Sequence, residues 1–148
     1  MLKTFKIGGV HPPENKLSAQ GEIITLPLPE QVIIPLSQHI GAPAAPTVKK
    51  GDTVKVGQLI GQAAGFISAN IHSSVSGTVT SVDPVIDASG YPRPAITIKV
   101  EGDEWDEKIL KEPLSQHPNT FTKEEIIAAI NAAGIVGMGG ATFPTHVK

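Results

Sequence analysis

None of the 148 residues is cysteine. The chain therefore forms no disulfide, ligates no iron–sulfur cluster through thiolates and offers no thiol nucleophile. Aromatic residues are scarce: one Trp, one Tyr and four Phe. No apolar run approaches the roughly 20 residues of a membrane-spanning helix. The opening "MLKTFKIGGVHPP" has no apolar stretch of secretory-leader length, so a cytosolic location is expected, compatible with a soluble subunit seated on a membrane complex. Charge is balanced, at a formal −2 with no large block of either sign. That excludes the basic footprint of a nucleic-acid binder. The five histidines, His11, His39, His72, His117 and His146, show neither HxH nor HExxH spacing, and no metal site is read from them.

What the chain has in quantity is glycine and proline, 15 and 13 residues, beside 40% hydrophobic residues. Small side chains and frequent turn formers suit a β protein better than a helical bundle. Residues 1–20, with "GGVHPPENK", read as an extended arm. Residues 21–100 read as short strands divided by turns. "GEIITLPLPEQVIIPL" carries Pro27, Pro29 and Pro35, which belong at strand edges or ends. In "VKKGDTVKVGQLIG", turns at Lys50-Gly51-Asp52 and Gly57-Gln58 flank the alternating Val54, Lys55 and Val56. In "PAITIKV", Ile96, Ile98 and Val100 alternate with Thr97 and Lys99, the period of a half-buried strand. Many short strands with regular turns imply a small barrel or sandwich.

Residues 101–120 form an acidic connector, with Trp105 expected to anchor it to an apolar surface. Residues 121–148 switch period. Thr122 with Glu125 is a capping box, Ile126, Ile127, Ile130 and Ala133 share one helical face, and Gly134 is the expected C-terminal cap. Ser73, Ser74 and Ser76 lie beside His72, but neighbours on a strand face opposite ways, so a polar strand rim is expected rather than a nucleophile and its base.

"VKKGDTVKVGQLIG" followed by "IHSSVSGTV" resembles the lipoyl/biotinyl carrier fold, a barrel-sandwich hybrid of two quasi-repeated sets of strands. In carriers, a modified lysine sits at the tip of the hairpin between these motifs. Here that stretch is "QAAGFISAN", and no lysine occurs between Lys55 and Lys99. Without an amine there is no amide link to a swinging arm, so the carrier function is excluded at this hairpin while the fold is retained. A free-standing binding module with no redox role is the other alternative.

Four motifs in order, "FKIGGVHPPENK", "IPLSQHIGAPAAPTVKKGDTVKVGQLIG", "GFISANIHSSVSGTV" and "GIVGMGGATFPTHVK", resemble the C subunit of the Rnf electron-transport complex over essentially the whole chain. The resemblance implies a peripheral subunit on the cytoplasmic side of the bacterial inner membrane. Its complex moves electrons between ferredoxin and NAD, coupled to sodium or proton transport. It further implies other complex subunits as partners, and FMN, NADH and two four-iron clusters as cofactors of the full-length subunit. The cysteine-free chain would then be the N-terminal part of that subunit, with no cofactor expected to stay bound to it alone. His11 and His39 lie inside these motifs and are expected to order loops or contact the rest of the subunit.

"GMGGATFPT" resembles the glycine-rich flavin loop, GRGGAGFPTG, of the flavoprotein subunit of respiratory complex I. Gly137, Gly139, Gly140, Ala141, Phe143, Pro144 and Thr145 match. Met138 replaces the arginine and Thr142 a glycine. By this likeness Gly137, Gly139, Gly140, Ala141, Thr142 and Lys148 are the expected cofactor-binding residues, at the start of an α/β flavin/NADH-binding domain. The physical basis is that glycine backbone lets a ring or phosphate lie close to its amides. No residue is expected to be catalytic.

Overall fold

The computed structural model describes residues 12–109 and 121–148. His11, His117 and the rest of residues 1–11 and 110–120 lie outside them. Seven strands and one α-helix are described: β1 (Gln31–Pro35), β2 (Ala45–Pro46), β3 (Thr53–Val54), β4 (Leu59–Gln62), β5 (Ile71–His72), β6 (Gly77–Ile86), β7 (Pro92–Val100) and α1 (Lys123–Ala132). A 3₁₀ turn, Thr145–Val147, follows. The strands form two antiparallel sheets, one ordered β1-β7-β6-β3 and the other β2-β4-β5.

The sheets enclose one core. Ile34, Ile96, Ile98 and Val79 come from the larger sheet, and Ile60 and Ile71 from the smaller. β7 lies between β1 and β6, and its run Ala95–Ile98 is wholly buried, Thr97 included. The β6–β7 ladder takes a bulge between Val79 and Ser81. There the Thr80 hydroxyl donates to the carbonyl of Thr97. The two sequence-read turns share one construction. The amide of Lys49 donates to the Asp52 carboxylate, that of Lys55 to the Gln58 side chain, and Gly51 and Gly57 take positive φ.

Two expectations are corrected and a third is extended. Residues 21–29 form no strand and are exposed, so the β-run begins only at Gln31. Pro27 and Pro29 withhold two ladder donors there, and no described strand lies alongside. The acidic segment is not merely a solvated connector. Trp105 forms a parallel bridge with Val56, whose amide donates to Glu104 and whose carbonyl accepts from Asp106. Main chain, as well as any side-chain contact, holds that segment to the barrel. Finally, α1 has the expected apolar face, but no residue of the helix is buried, and Ile126 and Ile127 remain 45% and 39% exposed. Ile126 borders an apolar groove of about 440 Å³ together with Phe121, Ile130 and Ile135.

Both ends of α1 follow the sequence. Thr122 and Glu125 exchange the reciprocal bonds of the capping box. At the other end Gly134 takes φ 65°, its amide donates to Asn131, and the Ile135 amide reaches back to Ile130. This pair of bonds is the Schellman closure that a left-handed glycine permits.

Candidate functional site

The glycine loop leaves α1 at Gly134 and is pinned at its neck. Val136 bridges Pro144, the Gly137 amide donates to the Phe143 carbonyl at 2.9 Å, and the Thr145 amide donates to Ile135. Gly137 thus spends its amide inside the loop. The tip behaves differently. A Cβ built on Gly139 or Gly140 meets no atom within 4 Å, and Gly140 has φ 119°. Packing within the described residues therefore gives no reason for glycine at 139. Lys148 folds back over the neck. Its Nζ lies 4.0 Å from where a Gly137 Cβ would stand and 5.9 Å from the centroid of the Phe143 ring. Gly137 and Lys148 are therefore neighbours, whereas Gly139, Gly140 and Ala141 project at the exposed tip.

Thr142 is the one non-glycine residue with positive φ among the described residues, at 46°. A β-branched side chain resists that conformation by about 1–2 kcal/mol. It falls where the complex I loop pattern has glycine. Its carbonyl accepts from the amide of Ile40 at 3.3 Å, so this strained residue ties the loop to the barrel.

The tie is broader than one bond, and its main member was invisible in the sequence. Asn70 closes the 63–70 hairpin by accepting from the Ala63 amide. Its amide nitrogen donates to the Asn131 and Ala132 carbonyls at the C-terminal end of α1. The last carbonyls of a helix lack the amide one turn on that serves the others, so a donor from outside helps to satisfy the polar end. Gly134 lies so close that a Cβ there would come within 2.2 Å of the Asn70 carbonyl. The hairpin that carries the tethered lysine in carrier domains here docks onto a helix end. No local pattern marks Asn70 for this role, because its helix partners are 61 and 62 residues away.

Between barrel and helix end lies a crevice of about 160 Å³ lined by Gln38, His39, Asn70, His72, Gly134 and Val136. His39, expected to order a loop, does so. Its buried ring accepts from the Ala69 amide through Nε2, which leaves Nδ1–H to donate to the Ile40 carbonyl. That assigns the neutral Nδ1-protonated tautomer. His72 is half-buried, and burial lowers its pKa below the ordinary histidine value. The unfolded chain therefore takes up its proton first, and stability is full above about pH 6.5 and declines as pH falls towards the lowered folded pKa. His72→Gln is expected to flatten that slope in urea-unfolding midpoints measured between pH 7.5 and 5.5. An unchanged slope would show that His72 does not contribute.

The serines serve structure. Ser73 is buried and donates to the Val75 carbonyl, while Ser76 donates to Glu101 and accepts from Glu104. Among the described residues no group of three His, Cys, Asp or Glu could hold a metal ion, and no helix is long and apolar enough to cross a membrane.

Residues 3–103 match the model of the RnfC barrel sandwich hybrid domain. The chain is 48% identical over 156 residues to the C subunit of the proton-translocating ferredoxin:NAD(+) oxidoreductase complex of Clostridium ljungdahlii, covering 100% of this chain and 32% of the relative. The C subunit of the ion-translocating oxidoreductase complex of Rhodobacter capsulatus is 48% identical over 99% of this chain and 28% of its own. The C subunit of the Na(+)-translocating ferredoxin:NAD(+) oxidoreductase complex of Acetobacterium woodii is 46% identical over 98% and 32%. The chain thus spans about a third of the length of these relatives. With a barrel sandwich hybrid model matched over most of its length and these relatives matched over nearly all of it, the chain belongs to the RnfC family.

Proposed function

We propose that this chain is the scaffold of a peripheral C subunit in a membrane-bound, ion-translocating ferredoxin:NAD oxidoreductase, at the cytoplasmic face. Residues 1–30 are its arm, 31–100 its barrel, 101–120 its connector and 121–148 the first part of a flavin/NADH-binding α/β domain. The observation that carries this is the space at Gly139 and Gly140, in a loop that resembles a flavin motif, where no atom of the described residues fills the place of a side chain. The uncovered apolar face of α1 supports it too, since such a face calls for further structure against it.

The residues present fit a flavin or nicotinamide phosphate. Gly139, Gly140 and Ala141 would lie against it, Thr142 would fix the loop on the barrel, and Lys148 would bring the positive charge that Met138 does not. When bound, a flavin supplies the hydride and single-electron chemistry of the exchange. The chain's own residues would bind and orient it. Iron–sulfur clusters find no thiolate here, so they belong to other parts of the subunit.

Gly139→Val in the full-length subunit tests this. The position has room for a side chain, so the melting temperature should hold, while affinity for FMN or NADH drops about tenfold as the cradle fills. The 148-residue chain alone should bind neither. Unchanged affinity in the variant, or tight binding by the short chain, would sink the proposal.

A further inference from the structure

The segment Gly21–Pro29 is the least explained part of the molecule. Leu17, Ile23, Ile24, Leu26 and Leu28 are each at least 64% exposed. Soluble proteins rarely leave so many large apolar side chains together in water unless something covers them. Their order is informative. In an extended chain, side chains alternate between faces and N–H groups alternate between edges. Ile24, Leu26 and Leu28 therefore share one face, and with Glu22 they direct their N–H groups to one edge. The opposite edge belongs to Ile23, Thr25, Pro27 and Pro29, and the two prolines strip it of consecutive donors. Drawn into a sheet, the segment could pair on one side only.

We propose that residues 22–28 add as an edge strand to an exposed β-sheet edge of a different subunit, with Ile24, Leu26 and Leu28 against that sheet's apolar surface. Main-chain pairing would give the affinity and the alternate side chains the register. The prolines would then close the extended sheet to further strands.

Two observations select a different chain as the partner. The arm leaves the barrel at Glu30, whose carbonyl accepts from Val100, whereas the helix and glycine loop dock at the Gln38–Ala42 end. The five residues of β1 separate the two by about 16 Å. The arm therefore joins the barrel at the other end of β1 from the place where the glycine loop docks. A second copy offers poor edges as well. Leu36 and Val100 donate across the β1–β7 ladder to Pro94 and Glu30, so Gln31, Ile33 and Pro35 face outward, and Pro35 has no donor. In β6, Pro84 stands opposite Pro94, which places Val82, Pro84 and Ile86 outward and again removes the middle donor. β2, β3 and β5 have two residues each.

The inference rests on the proposed membership of a complex, and one experiment separates the two. Full-length subunit is rebound to complex from which it has been stripped. Wild-type rebinding supports the membership, and its absence overturns both proposals. Given rebinding, Thr25→Pro should change affinity less than about twofold, since it removes a donor from the already blunted edge. Leu26→Pro should weaken it about tenfold beyond Leu26→Ala, through loss of a donor on the pairing edge. Equal effects of T25P and L26P, or of L26P and L26A, overturn strand addition while leaving the membership intact. A photo-crosslinker at Leu28 should capture another subunit; capture of a second copy, or of this subunit's own chain, overturns the choice of partner.

Discussion

Gly134→Ala is expected to detach the helix and glycine loop from an otherwise intact barrel. Two effects combine. At φ 65° an L-residue costs about 1–2 kcal/mol relative to glycine. The new Cβ would also stand 2.2 Å from the Asn70 carbonyl, which is backbone and cannot rotate aside. The docked arrangement should therefore lose about 3 kcal/mol or more. What it loses is specific: the Asn70 bonds to Asn131 and Ala132, and the Ile40 bond to Thr142. A ten-residue helix without tertiary support is marginal in water, so the helical circular-dichroism signal should fall with it. Gly51→Ala is the matched control. It has φ 93° but no atom within 4 Å, so it should cost only the conformational part. Equal losses of amide-exchange protection along α1 in both variants would show that the contact with Asn70 does not hold the two parts together.

Ile60→Ala should destabilise the barrel itself by about 2–5 kcal/mol in urea unfolding. Ile60 lies in the middle of the smaller sheet, is fully buried, and belongs to the core that both sheets share. The strands around it have only two to four residues, so there is little ladder to fall back on. Since small domains hold about 5–15 kcal/mol in all, the loss is a large part of the whole. Ile33→Ala, on the outer face of β1 and 49% exposed, should cost less than about 1 kcal/mol. Similar costs at the two positions would mean that the sheets do not enclose a common core.

Features set by near neighbours in the chain were legible from the sequence. The capping box at Thr122 and Glu125, the left-handed glycine at 134 and the turn glycines at 51 and 57 each depend on a few adjacent residues. The alternation of Ile96 and Ile98 located β7, although Thr97, which looked like an outward residue, is buried as well, because β7 is an inner strand. The failures come from distance. "EIITLPLP" has strand composition, but pairing requires a partner edge, and composition does not say where one lies. The helix face of Ile126 and Ile130 has the right period, but period does not reveal whether anything covers it. In the site, the loop residues were recognisable by their motif, while the inward amide of Gly137 and the role of Asn70 depend on contacts made only once the chain has folded.

Asn70 has a consequence for exchanging parts between relatives. One side-chain amide is shared, its oxygen shaping the hairpin and its nitrogen finishing the helix. The matched segment ends at residue 103, yet a chimera joined there would set a foreign hairpin tip against a helix end shaped for another. The safe junction is not where the strands stop. Hairpin 63–70 and residues 131–142 form a single packed unit, and a graft that divides them is expected to keep its barrel and misplace its loop.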